Sequence, residues 1–256
     1  MKHRSLFGLA LALLATVVPS PAQNTAQEEV IAASTMIAFG RPAAAGELTD
    51  SRHSGKTLPE LLKAHAENLK QDPALQRRID ERALVDAFGS DPLSAAATGT
   101  RPEVSMGGTY AEQLRRHLAT LAANPEDYRR VINRAYQLVI RRDAYPEEYA
   151  YWQARDTLPY VVLVGAIENW ALRNQPGLMV TTGTPSIAGT SRFLRTQRVS
   201  LAVANEARTQ LGLPVWTDVA RQHNPGRNIV GVGAKDIESV GGVHFLLAGG
   251  GPLSEE

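Results

Sequence analysis

Residues 57–83, TLPELLKAHAENLKQDPALQRRIDERA, are followed by a related stretch at residues 109–135, TYAEQLRRHLATLAANPEDYRRVINRA. Aligned without a gap, the two stretches are identical at ten positions: Thr57/Thr109, Glu60/Glu112, Leu62/Leu114, His65/His117, Leu69/Leu121, Pro73/Pro125, Arg77/Arg129, Arg78/Arg130, Arg82/Arg134 and Ala83/Ala135. Unrelated sequences of ordinary composition would share roughly two. The offset of 52 residues lies close to the periods of repeat proteins, so the chain is predicted to contain repeated units.

Each stretch has the features of two consecutive helices. A threonine followed three residues later by glutamate is a capping-box pattern that starts the first helix. A cap residue before proline is the arrangement that starts the second. These residues are Thr57 with Glu60, Thr109 with Glu112, Asp72-Pro73 and Asn124-Pro125. A single helical hairpin cannot bury its own apolar face, so the units are expected to pack on one another.

A third, weaker copy follows the second. Residues 41–48 (RPAAAGEL) resemble residues 142–149 (RDAYPEEY), and the tripeptide TLP of residues 57–59 recurs at residues 157–159. The predicted fold is therefore mainly α, with two to three repeated helical-hairpin units packed as a bundle over residues 27–175.

The first 22 residues have the layout of a secretory signal peptide. Lys2 and Arg4 form a positive head, residues 6–18 are uncharged, and Ser20 and Ala22 suit a signal peptidase site. The apolar run is shorter than the roughly 20 residues that span a bilayer. We expect cleavage near Ala22 and a periplasmic or extracellular mature protein with no transmembrane helix.

The composition changes after the helical part. Residues 176–190 are rich in Thr, Gly, Pro and Ser and are predicted to form a linker. Residues 191–256 are predicted to hold a helix pair, over residues 191–211 and 215–223, followed by a Gly-rich tail. Val and Ile interleaved with glycine in that tail leave short β-strands as an alternative.

Charge and cysteine content exclude several classes of protein. The chain has 27 Lys and Arg against 26 Asp and Glu, so no global basic field indicates nucleic-acid binding. It has no cysteine, which excludes disulfides and thiol chemistry. No nucleotide-binding or metal-ligand motif stands in the sequence, so no cofactor and no metal site is predicted.

One stretch resembles a known family. Tyr136 and Arg142, followed by Tyr149, Tyr151 and Trp152 and then an apolar helix, resemble a helical domain of unknown function in exported bacterial proteins. That domain is similar to phycobilisome linker domains. The resemblance covers residues 131–174 and, faintly, residues 36–69, and Glu147-Glu148 stand where the family has glycine. It implies a packing or association module rather than a catalyst, and it transfers no active-site residue.

Two groups of residues are candidates for binding. The second copy carries a basic stripe formed by Arg129, Arg130 and Arg134, which aligns with three arginines of the first copy. This stripe could hold a polyanion or make weak membrane-surface contact, or it could be an ordinary solvated helix face. The aromatic residues that follow could form a face for carbohydrate or protein, or the core of the third unit. The candidate binding residues are Arg129, Arg130, Arg134, Tyr149, Tyr151 and Trp152.

The histidines leave a second set of alternatives. His65 and His117 occupy equivalent repeat positions and are interpreted as packing histidines hydrogen-bonded between helices rather than metal ligands, because no carboxylate or histidine stands at i+4. A hydrolase would need His53, His223 or His244 beside an acid in space. No catalytic residue is assigned from the sequence.

The function predicted from these features is that of an exported, non-catalytic interaction or structural module. Its partner would be an envelope protein or a surface polysaccharide. The alternative is a periplasmic hydrolase whose site is assembled from dispersed His, Asp and Ser residues.

Overall fold

The structure is a computed structural model that describes residues 26–89, 107–174, 177, 197–213, 215 and 236–240. These ranges are mainly helical, as predicted. The predicted signal peptide, nearly all of the linker and most of the helix expected over residues 215–223 lie outside them. The helices are α1 (Ala26–Phe39), α2 (Ala45–Leu48), α3 (Leu58–Gln71), α4 (Pro73–Phe88), α5 (Tyr110–Ala123), α6 (Pro125–Ile140), α7 (Pro146–Gln153), α8 (Tyr160–Asn174) and α9 (Leu201–Gln210). None of them is long and apolar enough to cross a membrane.

The helix starts predicted in the two aligned stretches are confirmed. At α5, Oγ1 of Thr109 accepts a hydrogen bond from the backbone N–H of Glu112 (3.4 Å), and Oε2 of Glu112 accepts one from the N–H of Thr109 (2.8 Å). At α3, Oε2 of Glu60 accepts from the backbone N–H of Thr57 (2.8 Å). Both second helices, α4 and α6, begin at the predicted proline. These local contacts satisfy N–H groups that a helix start leaves unpaired.

The helix pairing differs from the predicted hairpins. The most extensive packing is between α1 and α3, α4 and α5, and α6 and α8. Helices joined at a proline, α3 to α4 and α5 to α6, contact each other much less. One residue between two helices, Asp72 or Asn124, is too short a connection to fold the second helix back along the first. The longer connections after α1, α4 and α6 are long enough for α3, α5 and α8, respectively, to pack back against the helix before the connection.

Corresponding arginines join successive helix pairs. Nη1 of Arg82 donates a hydrogen bond to the backbone oxygen of Phe39, the last residue of α1, at 2.7 Å. Nη1 of Arg134 donates in the same way to the backbone oxygen of Phe88, the last residue of α4. Each arginine thus satisfies a carbonyl at the end of the preceding pair's first helix.

The turns after α1 and α4 share a second contact. Gly40 (φ 64°) and Gly89 (φ 68°) both adopt the left-handed conformation. A Cβ at Gly40 would lie 2.5 Å from the ring of Tyr110, and one at Gly89 would lie 2.5 Å from the ring of Tyr160. Both turns therefore require glycine, for the backbone angle and for the close ring. The corresponding turn after α6 has Arg141 in the same conformation (φ 56°).

The C-terminal part departs from the predicted helix over residues 191–211. Gln197–Ser200 instead forms strand β1, which pairs antiparallel with strand β2 (Asp236–Val240), and helix α9 begins only at Leu201. The partner strand lies far along the chain, so the local sequence of β1 does not reveal it. Both β1 and α9 pack against α1. Nη1 of Arg115 in α5 also donates to the backbone oxygen of Leu211 (2.8 Å).

Candidate functional site

The helix α7 and the residues beside it contain most of the predicted binding residues. The guanidinium carbon of Arg129, on α6, lies 4.4 Å from the ring centroid of half-buried Tyr149. Tyr151 is 45% exposed, and the guanidinium carbon of Arg155 lies 3.5 Å from its ring centroid. These distances are within the range of cation–π contacts. The structure therefore places Arg129, Tyr149 and Tyr151 at the surface around α7.

Two of the predicted arginines have contacts within the fold. Arg130 is exposed and forms an ion pair with Asp127, one helical turn earlier. Arg134 is bound to the carbonyl at the end of α4. The basic stripe is therefore not a row of uncommitted charges, and Arg134 is reassigned from a binding residue to one that joins two helix pairs.

Trp152 belongs to the core rather than to a binding surface. Its side chain is 6% exposed, and Nε1 donates a hydrogen bond to the hydroxyl of Tyr136 at 3.2 Å. Burial raises the pKa of Tyr136 to about 12. The prediction of Trp152 as a binding residue is wrong, because an indole ring this deeply buried anchors α7 to α6 and cannot contact a partner.

A further exposed tyrosine, which the sequence did not single out, lies next to α7. Tyr145, just before α7, is 53% exposed, and the guanidinium carbon of Arg142 lies 4.0 Å from its ring centroid. Arg142 is itself fixed by two hydrogen bonds to Glu148, at 2.6 and 2.7 Å. We call Tyr145, Tyr149 and Tyr151 the α7 tyrosine set. The proline after Tyr145 indicates a helix start, but only the structure shows the ring exposed.

The salt bridge between Arg142 and Glu148 has a counterpart earlier in the chain, between Arg41 and Glu47. Arg41 makes two hydrogen bonds to Glu47, also at 2.6 and 2.7 Å. In both places the glutamate accepts a further bond from a backbone N–H three residues earlier, at Ala44 (2.8 Å) or Tyr145 (2.7 Å). The likeness of residues 41–48 to 142–149 is therefore reflected in the same contacts. The first copy has no exposed tyrosine at this position, where Ala44 stands.

The repeat-position histidines are buried between helices. Nε2 of His65 lies 3.2 Å from Oγ of Ser34 on α1, which confirms the predicted interhelical hydrogen bond. The ring centroids of His65 and Phe39 are 4.8 Å apart. The ring centroids of His117 and Phe88 are 5.4 Å apart, but within the described residues neither ring nitrogen of His117 has a hydrogen-bond partner. Burial lowers the pKa of each histidine to about 4. Both are therefore neutral near pH 7.

The residues of the hydrolase alternative are only partly described. Nδ1 of His53 lies 3.0 Å from the backbone oxygen of Glu47, and its ring lies 5.9 Å from that of His65. Ser34, the hydroxyl beside His65, is 0% exposed. His223 and His244 lie outside the described residues. Nowhere in the described ranges do three or more His, Asp or Glu side chains form a set that could hold a metal ion.

Comparisons with known proteins add no relative: no protein-family model, no curated protein and no solved structure matches the chain.

Proposed function

We propose that this chain is an exported, non-catalytic interaction module that binds a protein or a surface polymer in the bacterial cell envelope. The observation that carries this proposal is the exposure of Tyr145 and Tyr151, each with a guanidinium group stacked on its ring. Aromatic rings are enriched at binding surfaces, and a ring already held by its neighbours loses little conformational entropy on binding.

The anchoring of α7 supports the same function. Trp152 is buried on one side of this short helix, while Tyr151, the preceding residue, is exposed. The hydrogen-bonded pair of Arg142 and Glu148 fixes the segment before the helix. A surface built on a supported element presents its side chains in one geometry, which favours specific recognition.

The remainder of the fold serves as a scaffold of three packing units: α1 with α3, α4 with α5, and α6 with α8. The corresponding contacts of Arg82 and Arg134, and of Gly40 and Gly89, support this repeat. The resemblance to the phycobilisome-linker-like domain agrees with an association role. The signal-peptide pattern of residues 1–22 supports export, and N-terminal sequencing of the secreted protein should find Gln23 as its first residue.

A pull-down from the envelope fraction tests the function. Tagged mature protein is compared with the double variant Tyr145→Ala/Tyr151→Ala, with bound proteins identified by mass spectrometry and bound glycans by sugar analysis. Val85→Ala is a matched control, because Val85 is an exposed apolar residue on α4 (39%). The proposal expects a partner that the wild type and the control retain and the double variant loses. Recovery of no partner, or equal recovery by all three proteins, would contradict it.

A further inference from the structure

Two histidine rings lie side by side where the chain runs from α2 to α3. His65, on α3, is 8% exposed, and the half-buried His53 belongs to residues 49–57, which we call the α2–α3 connection. The two ring centroids are 5.9 Å apart, and the ring planes meet at 71°. At this separation a positive charge on one ring acts directly on the other.

The hydrogen bonds of the two rings decide which nitrogen of each neutral ring can accept a proton. Oγ of Ser34 donates to the backbone oxygen of Ile31 (2.8 Å), so it accepts from Nε2–H of His65 and leaves Nδ1 of that ring unprotonated. The backbone oxygen of Glu47 can only accept, so Nδ1–H of His53 donates to it and Nε2 is the unprotonated nitrogen. Protonation of either ring therefore breaks neither bond, and its effect is to add positive charge.

The charges around His65 oppose its protonation. Glu47 favours the protonated ring, but this carboxylate is already engaged by two hydrogen bonds from Arg41, at 2.6 and 2.7 Å. His53, Arg41 and Lys56 act against protonation. Burial, with His53 as the second cause, lowers the pKa of His65 to about 4. On α1 the ring contacts two uncharged side chains, those of Ser34 and Phe39.

The α2–α3 connection is attached to α1 through the side chain of Gln27. Nε2 of Gln27 donates to the backbone oxygens of His53 (3.1 Å) and Lys56 (3.2 Å). Asp50, the acid that interacts with His53, is paired with Arg52 inside the connection itself, at 2.6 Å. Apart from His53 and Asp50, the residues of the connection are exposed. A segment this exposed opens at a lower free-energy cost than the packed helices beside it.

We propose that the His53–His65 pair is an acid-sensitive latch, which holds the α2–α3 connection closed against α1 and α3 while both rings are neutral. When both rings are protonated, two like charges lie 5.9 Å apart, and movement of His53 away from His65 relieves the repulsion. Opening also exposes His65 to water, where it binds its proton more tightly, so low pH favours the open state. Acid-controlled exposure of residues 49–57 is thus a property of the chain alone and does not depend on its partner.

Spin labelling of the mature protein tests the latch, because the chain has no cysteine and a single introduced cysteine is labelled specifically. Ser54→Cys places a nitroxide at an exposed position of the connection, and Ala64→Cys places one on the exposed side of α3. As the pH falls from 6.5 towards 4, the electron paramagnetic resonance spectrum of the Ser54 label should show increasing mobility, which reverses on neutralisation. The spectrum of the Ala64 label should change only at a lower pH, when the helix itself unfolds.

Substitutions in the Ser54→Cys background separate the latch from general acid sensitivity. His53→Asn keeps an N–H that can donate to the carbonyl of Glu47 and carries no charge. It should lower the midpoint of the mobility change by about 0.5–2 pH units, as expected for two charges about 6 Å apart at an effective dielectric constant of about 80 to 20. His65→Ile should abolish the change. His117→Ile, the matched control, removes the buried histidine at the equivalent position of α5 and should leave the midpoint unchanged.

Three results would overturn the latch. The first is a Ser54 label whose spectrum does not change between pH 6.5 and 4. The second is a His53→Asn variant with the same midpoint as its parent. The third is a simultaneous change of the Ser54 and Ala64 labels, which would show that the whole α1–α3 pair unfolds rather than the connection alone.

Discussion

Replacing His117 with isoleucine should stabilise the protein. His117 is 1% exposed, and neither of its ring nitrogens has a hydrogen-bond partner in the part of the chain that the structure describes. Isoleucine removes both ring nitrogens and keeps an apolar side chain at the position that packs on Phe88.

The expected gain has two parts. An unpaired buried polar group costs about 1–3 kcal/mol, so the free energy of unfolding should rise by about that amount near neutral pH. The second part depends on pH, because burial lowers the pKa of His117 from 6.5 to about 4. The unfolded chain binds the proton more tightly, so this stability is complete above pH 6.5 and is lost as the pH falls towards 4. At about pH 5 the loss is about 2 kcal/mol, and isoleucine avoids it.

Urea denaturation followed by far-ultraviolet circular dichroism, at about pH 7.5 and about pH 5, measures both parts. His65→Ile is the matched control. Burial also lowers the pKa of His65 to about 4, so this variant should show a similar additional gain in stability when the pH is lowered. Its gain near neutral pH should be smaller, because His65 has Ser34 as a partner and the substitution removes that hydrogen bond. The reasoning would be refuted if the free energy of unfolding of the His117→Ile variant were no higher than that of the wild type at either pH.

Three further substitutions test local features by the same urea titration. Arg141→Gly should raise the free energy of unfolding by about 1 kcal/mol, because glycine adopts the left-handed conformation without strain; an unchanged midpoint would count against strain at this turn. Thr109→Ala should cost about 1 kcal/mol, because Oγ1 of Thr109 caps the backbone N–H of Glu112; no loss would contradict this assignment. Trp152→Phe should cost about 1–2 kcal/mol, because it leaves the buried hydroxyl of Tyr136 without its donor; no loss would show that this hydrogen bond contributes nothing.

The parts of the fold that sequence predicts are those decided by local chemistry. A threonine with glutamate three residues later, or a cap residue before proline, acts within one helical turn. Both patterns therefore locate helix starts correctly, at Leu58, Pro73, Tyr110 and Pro125. The apolar spacing of the helices predicts which side chains are buried for a similar reason, because it depends only on the period of the helix.

Helix pairing and site assignment depend on contacts between distant residues. The sequence shows Arg134 as part of a basic stripe, but its hydrogen bond to Phe88 joins residues 46 positions apart, with α5 and a long connection between them. Trp152 and Tyr151 are adjacent in the sequence, and helix geometry sends them to different environments, one buried and one exposed. Their aromatic character predicts a role in contacts without showing whether the contact is internal or external.

The packing units differ at their interfaces, and this difference favours one pairing of similar helices. The α1–α3 pair contains the Ser34–His65 contact, and the α4–α5 pair contains a hydrogen bond from Gln113 to Asp80, both buried. Gln113 is one of two donors to Asp80, and the other is Nε2 of Gln76 on α4 itself, at 2.7 Å. If α4 and α5 did not pack on each other, Asp80 would keep the hydrogen bond from Gln76 and lose the one from the neighbouring helix. A hydrogen bond to a charged group contributes about 1.5–3 kcal/mol, so the Asp80–Gln113 bond favours the pairing of α4 with α5 over pairings that offer Asp80 no second donor.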